Sequence, residues 1–167
     1  MDCFRKTFRA EHVEKARLYI IVCGLYDTWL NGCRAGDFCM APGHTDYRKR
    51  VQLQTYDVTA LLQEGDNELT VQLADGWCRG SCRAWGRRNQ YGMATKLLAQ
   101  LEDTRTDGTM QTIATDGSWS WSNDSPICFA DNRDGETANV RLSPTFAGKA
   151  RETRHPHRLQ QRAGNGA

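Results

Sequence analysis

Residues 50–75 read RVQLQTYDVTALLQEGDNELTVQLAD. In the last part of this stretch Leu69, Val71 and Leu73 fall on one side of an extended chain, and Thr70 and Gln72 fall on the other. A period of two is the signature of a half-buried β-strand. The first part, 50–58, has the same strand character. Between them Asp57 caps one short helical turn holding Leu61 and Leu62, and Gly65 closes it. The stretch is strand, turn, strand.

The same texture extends in both directions. Residues 3–8 (CFRKTF) and 15–23 (KARLYIIVC) read as strands, the second rich in branched and aromatic side chains. YDTWLN (26–31) alternates up to Asn31-Gly32, a pair suited to a tight hairpin because both residues accept positive φ. Downstream, MATKLLAQLE (93–102) and TMQTIAT (109–115) flank Asp107-Gly108, a second hairpin signal. The Leu, Ala and Gln content of 93–102 also suits a helix, but the adjacent turn favours a strand. SWSWS (118–122) and PICFA (126–130) complete about eight short antiparallel strands. The expected fold is all-β, a jelly-roll-like β-sandwich. The pattern decays from Ser143, so the sandwich is expected over 1–147, with 148–167 a tail or the start of a linker.

Composition narrows the function. Lys+Arg 22 against Asp+Glu 20 leaves a net charge of +2, with both signs spread along the chain. Nucleic-acid binders instead concentrate positive charge on one face, so no nucleic-acid partner is expected. The longest apolar run, Leu18 to Tyr26, contains a glycine and falls short of the ~20 residues of a membrane helix, so no membrane partner is expected. Seven cysteines are an odd number, and polar residues follow Met1 directly, without a leader pattern. Both features point to a reducing cytoplasm, with cysteines serving as small apolar residues.

The ordered motifs Asn31-Gly32, APGHTDYRKRVQLQTYDVTALLQEGDNEL (41–69), DGWCRG (75–80) and DNRDGE (131–136) resemble the accessory β-sandwich domain near the N-terminus of bacterial α-L-rhamnosidases. The likeness runs from Phe4 to Lys149 and is most specific between Asn31 and Gly80. DVTALLQEGDNEL alone is also similar to galactose-binding-like jelly rolls. The resemblance implies a sandwich packed against a separate helical α/α-toroid, whose acidic residues hydrolyse terminal L-rhamnose with inversion. Nothing in this sequence matches that toroid, so no catalytic residue is assigned. His44 and Cys78 stand where the family usually has aromatics, and Cys33 where a polar turn residue is common.

A sugar presents an apolar C–H face and a rim of hydroxyls, so it calls for an aromatic ring beside planar hydrogen-bonding groups. The DGWCRG loop supplies Asp75, Trp77 and Arg79. AWGRRNQYG (84–92) adds Trp85, Arg87, Arg88, Asn89 and Tyr91, and DNRDGE adds Asp131, Asn132, Asp134 and Glu136. These loops are expected to line a shallow site for a rhamnose-containing glycan. Two other readings fit the same residues. Trp77 can cap the core while Asp75 and Arg79 pin the loop by an ion pair, or the loop can dock on the catalytic domain of the same polypeptide.

No cofactor is required by this chemistry. Asp131, Asp134 and Glu136 are candidate calcium ligands, being hard oxygen donors at short spacing without an EF-hand pattern. Cys33, Cys39, His44, Cys78 and Cys82 could be drawn as a zinc set, but only Cys78 and Cys82 have the usual ligand spacing. The basic run Arg48, Lys49, Arg50 and the tail residues Lys149, Arg151, Arg154, Arg158 and Arg162 could suggest an acidic partner, but the tail lacks the interleaved aromatics of a single-strand binder.

Overall fold

The computed structural model describes residues 1–82, 87–146 and 148–149. Its strands are β1 (Asp2–Ala10), β2 (Val13–Cys23), β3 (Leu25–Leu30), β4 (Cys33–Arg34), β5 (Leu53–Asp57), β6 (Gly65–Ala74), β7 (Lys96–Arg105), β8 (Met110–Ala114), β9 (Ser120–Ser122), β10 (Ile127–Asp131), β11 (Gly135–Ala138) and β12 (Gly148–Lys149). One short helix, α1 (Gly76–Arg79), and a 3₁₀ turn at Thr59–Leu61 interrupt them. A six-stranded sheet runs β12-β9-β1-β6-β3-β4, a four-stranded sheet runs β5-β2-β7-β8, and β10-β11 form a separate ribbon. Every strand pairing is antiparallel.

The two larger sheets face each other across one apolar core. Leu18, Ile20 and Val22 of β2 and Ala99 and Leu101 of β7 meet Leu69, Val71 and Leu73 of β6, with Trp119 sealing the packing. Alternation predicts these faces, because a pleated strand sends successive side chains to opposite sides. Burial of each large side chain contributes about 1.5–3 kcal/mol. Trp119 also donates its indole N–H to the carbonyl of Ala114 at 2.9 Å, so its one polar group is satisfied.

Several boundaries differ from the expectation of about eight strands. The described residues hold twelve, because the two-residue β4 and β12 and the polar β11 are too short to show a period. The segment 93–102 is extended and not helical, with β7 running on to Arg105. Asn31 (φ 53°) and Gly32 (φ 77°) make the expected tight turn, and Asn31 also gives its side-chain amide to Leu61 and Asn67. At the other hairpin, Gly108 takes positive φ and Arg105 N–H reaches Thr109 O at 2.9 Å, giving a longer loop closed by a glycine bulge. Asp57 accepts from Thr59 N–H and Oγ1–H and so initiates the 3₁₀ turn from one residue before its N-cap, Val58. Gly148 and Lys149 pair with Trp121 and Ser120, extending the sheet to Lys149. Residues 150–167, including the basic positions from Arg151 to Arg162, lie outside the described residues.

Asp103 departs from the pattern. It sits on the inward face of β7 with 0% exposure, and neither carboxylate oxygen has a hydrogen-bond partner among the described residues. Burial raises its pKa, opposed only in part by Arg105. A raised folded pKa means that the folded chain holds this proton more tightly than the unfolded one. Its penalty is therefore absent below the unfolded carboxylate value of about 3.9, grows as pH rises through the folded pKa, and is full at neutral pH. Asp103→Asn removes the buried charge at constant volume. We expect it to raise stability by about 1–2 kcal/mol at pH 7 and to do little at pH 4. Urea unfolding at both pH values checks this; equal midpoints for variant and parent at pH 7 would contradict it.

Candidate functional site

The site lies where β6 ends and the ribbon β10-β11 crosses over it. Asp75 N–H reaches Ala130 O at 3.3 Å, tying the two together. Immediately after Asp75 the chain turns into α1. Gly76 is needed there because it adopts φ +50° and a Cβ would lie 2.8 Å from Leu25 N. Gly80, at the other end of α1, lets the Asp131 carboxylate come within reach of the backbone. A Cβ on Gly80 would stand 2.0 Å from Asp131 Oδ2.

Asp131 organises the rim. Its side chain has 0% exposure, its Oδ2 accepts Ser81 N–H at 2.8 Å, and its Oδ1 accepts Arg133 N–H at 2.9 Å and Asp134 N–H at 3.3 Å. Arg88 arrives from the following loop and faces three carboxylates: Asp75 at 2.5 Å, Asp134 at 2.9 Å and Asp131 at 3.7 Å. Its guanidinium also lies over the Phe129 ring, 5.3 Å from the centroid. Arg79 closes the clasp through Nε to Asp75 at 3.0 Å. Asp134 further accepts the hydroxyl proton of Ser81.

Beside this clasp is an open depression of about 270 Å³, lined by residues that include His44, Trp77, Ser81, Tyr91 and Asn132. Trp77 and His44 meet edge to face, with ring centres 6.0 Å apart. Tyr91 leans on Tyr47 at 5.2 Å, and Arg48 covers part of it at 5.5 Å. The loop bearing Tyr91 is anchored by Asn89 N–H to Arg79 O and by Tyr91 N–H to Cys78 O, at 2.9 and 3.2 Å. Asn132 Oδ1 is buried and accepts no hydrogen bond among the described residues.

The structure thus gathers Asp75, Trp77, Arg79, Tyr91, Asp131 and Asn132 at one end of the sandwich, divided between clasp and depression. Trp85 lies outside the described residues. Trp77 does not cap the core; it stands half-buried beside the depression. The calcium expectation meets a different arrangement. Asp131 and Asp134 already face the Arg88 cation, and Glu136 is exposed on β11. Among the described residues no group of three or more His, Cys, Asp or Glu side chains is placed to hold a metal, and this includes the drawn zinc set.

Three participants escape a reading of the sequence: the bridging role of Arg88, the Ser81 amide, and Tyr47 behind Tyr91. Arg88 stands in a loop flagged for arginines, yet its carboxylate partners come from two other segments. No local spacing reveals that.

Chemically, the clasp is a static ion-pair network. Its carboxylates are committed to guanidinium and backbone donors, whereas glycoside cleavage needs two carboxyl groups set across a substrate. The depression is lined by the rings of Trp77, His44 and Tyr91 and by the polar side chains of Ser81, Gln90 and Asn132. Fold and site together define a β-sandwich domain with an ion-paired rim and an open depression at one end.

The model of the alpha-L-rhamnosidase N-terminal domain family matches residues 11–157, and the chain belongs to that family. It is 46% identical over 154 residues to an alpha-L-rhamnosidase of Streptomyces avermitilis, covering 87% of this chain and 15% of that protein. An alpha-L-rhamnosidase of Formosa agariphila is 39% identical over 142 residues, covering 83% of this chain and 15% of its own length. Among solved structures, the Streptomyces avermitilis enzyme complexed with L-rhamnose superposes with a TM-score of 0.80 at 44% identity, covering 87% of this chain and 15% of that one. The native enzyme from Aspergillus terreus gives 0.81 at 40%, covering 84% and 16%. The chain therefore spans about one-seventh of the length of these relatives.

Proposed function

We propose that this chain is a non-catalytic carbohydrate-binding module of an α-L-rhamnosidase, and that the depression beside Trp77 holds a rhamnose-containing glycan for a catalytic domain elsewhere in the polypeptide. The resemblance implies that this partner is a helical toroid acting with inversion. The observation that carries the reading is the open depression of about 270 Å³ at the rim, lined by the rings of Trp77, His44 and Tyr91 together with the amides of Asn132 and Gln90. Rings beside planar amides are what a sugar calls for, since its apolar C–H face packs on an aromatic face and its hydroxyls exchange hydrogen bonds with amide groups.

Calorimetric titration of the chain with L-rhamnose tests this. Saturable heat is expected, and Trp77→Ala or Asn132→Ala should weaken binding about tenfold or more without moving the unfolding midpoint. Repeating the titration in EDTA tests calcium, which would have to compete with Arg88 for Asp131 and Asp134. Absence of saturable heat would eliminate the sugar site.

A second reading is a structural buttress without sugar affinity. It is favoured by an apolar row on the outer face of the four-stranded sheet, where Ile21 pairs with both Leu53 and Leu98, and Leu53 is 46% exposed. That face would pack against the remaining polypeptide of the rhamnosidase.

A further inference from the structure

We infer that Cys23 and Cys78 are a thiol modification site, a pair that a small-molecule disulfide converts into an intramolecular Cys23–Cys78 bond. The backbone brings them together. Cys23 is the last residue of β2, and Gly24 follows so closely packed that a Cβ there would lie 2.5 Å from Ala74 O. Gly76 presses on the same junction, where its Cβ would lie 3.0 Å from the carbonyl carbon of Gly24. Within the same helical turn Cys78 turns its thiol onto that of Cys23. The Tyr47 hydroxyl reaches Gly24 O at 3.4 Å at the same junction, and Lys96 stands opposite Cys23 in the β2–β7 ladder.

Exposure assigns the roles. Cys23 is half-buried and Cys78 is buried, so Cys23 meets a solution reagent first. The hydrogen bond from Cys78 lowers the Cys23 thiol to about 7 despite its burial, with help from Lys96. The same bond, together with burial, pushes Cys78 up. Cys23 is thus the more readily ionised and more accessible thiol of the pair, and the thiolate is the attacking species.

With oxidised glutathione the chemistry closes. The Cys23 thiolate attacks one glutathione sulfur, the S–S bond breaks, and one glutathione thiolate leaves. Once Cys23 carries a neutral mixed disulfide, the anion that raised Cys78 is gone. Cys78 then loses its proton to solvent and attacks the Cys23 sulfur, expelling a second glutathione. Two protein thiols are oxidised and one glutathione disulfide is reduced. In a reducing compartment the pair rests as thiols, and the bond it forms would staple α1, and hence the Trp77 rim, to the end of β2. This inference does not depend on sugar binding.

Peptide mapping by mass spectrometry tests it on the purified chain. Oxidised glutathione at neutral pH should give a species two hydrogens lighter, with Cys23 and Cys78 peptides cross-linked and released by dithiothreitol. Cys78→Ser should stop at glutathione attached to Cys23. Should that buried substitution prevent folding, Cys23→Ser provides an independent arm: no lighter species forms and Cys78 stays unmodified. Glutathione found only on the exposed Cys33, Cys39 and Cys128, with Cys23 and Cys78 still open to alkylation after unfolding, overturns the inference.

Discussion

Asp131→Ala is expected to lower the stability of the chain by about 3 kcal/mol, a fall in Tm of about 6–12 °C for a domain of this size. The carboxylate accepts three backbone N–H groups, from Ser81, Arg133 and Asp134, and Ser81 is itself only 3% exposed. Alanine leaves those donors without an acceptor in a place that water reaches poorly, and a donor stranded in this way costs more than the bond contributed. Arg88 loses one of three carboxylates but keeps Asp75 and Asp134, so the ion-pair loss is the smaller part. Asp131→Asn keeps an acceptor oxygen and should cost clearly less than alanine. Thermal unfolding followed by circular dichroism distinguishes the two. A Tm for the alanine variant within about 2 °C of the parent would show that the ribbon is not held by this carboxylate.

Gly80→Ala is expected to cost about 2–4 kcal/mol, and for a different reason. The backbone there has φ −74°, which alanine adopts freely, so no conformational preference is broken. The penalty is space. A Cβ would stand 2.0 Å from Asp131 Oδ2 and 2.2 Å from Gly76 O, and the second atom belongs to backbone that already accepts Gly80 N–H at 2.9 Å. Either α1 unwinds or the carboxylate withdraws from Ser81. Gly65→Ala is the control, since nothing lies within 4 Å of its Cβ and only its positive φ is strained. The double variant Gly80→Ala/Asp131→Ala should be less damaging than the two losses added together, because removing the carboxylate relieves part of the clash. Strict additivity in denaturant unfolding would mean that Gly80 and Asp131 do not constrain each other.

Both effects concern the clasp, and they bear on the proposed sugar site through rigidity. Trp77 belongs to α1, which hangs between Asp75 and Gly80, and Asn132 sits in the turn that Asp131 ties down. A shallow site on loops binds well only if its groups are held before the ligand arrives. The clasp supplies that rigidity.

Much of this was decided by local chemistry that the sequence displays. Alternation in 67–75 and 15–23 commits those segments to strands with one apolar face, because a pleated chain has no other way to bury Leu69, Val71 and Leu73 together. Asn31-Gly32 and Asp107-Gly108 set two hairpins, since few other residue pairs tolerate the backbone required. The motifs between Asn31 and Gly80 carried the family as well. What only the tertiary structure decided is who meets whom at the end of the sandwich. Arg88 joins Asp75 to Asp131 and Asp134, carboxylates of two other segments, and Cys23 meets Cys78 because Gly24 and Gly76 allow two backbones to touch. Neither encounter has a period or a spacing, for each depends on chain segments brought close by sheets that must form first. The buried Asp103 makes the same point in reverse. Alternation assigns it to the inward face, but only the finished packing shows that no donor among the described residues is waiting there.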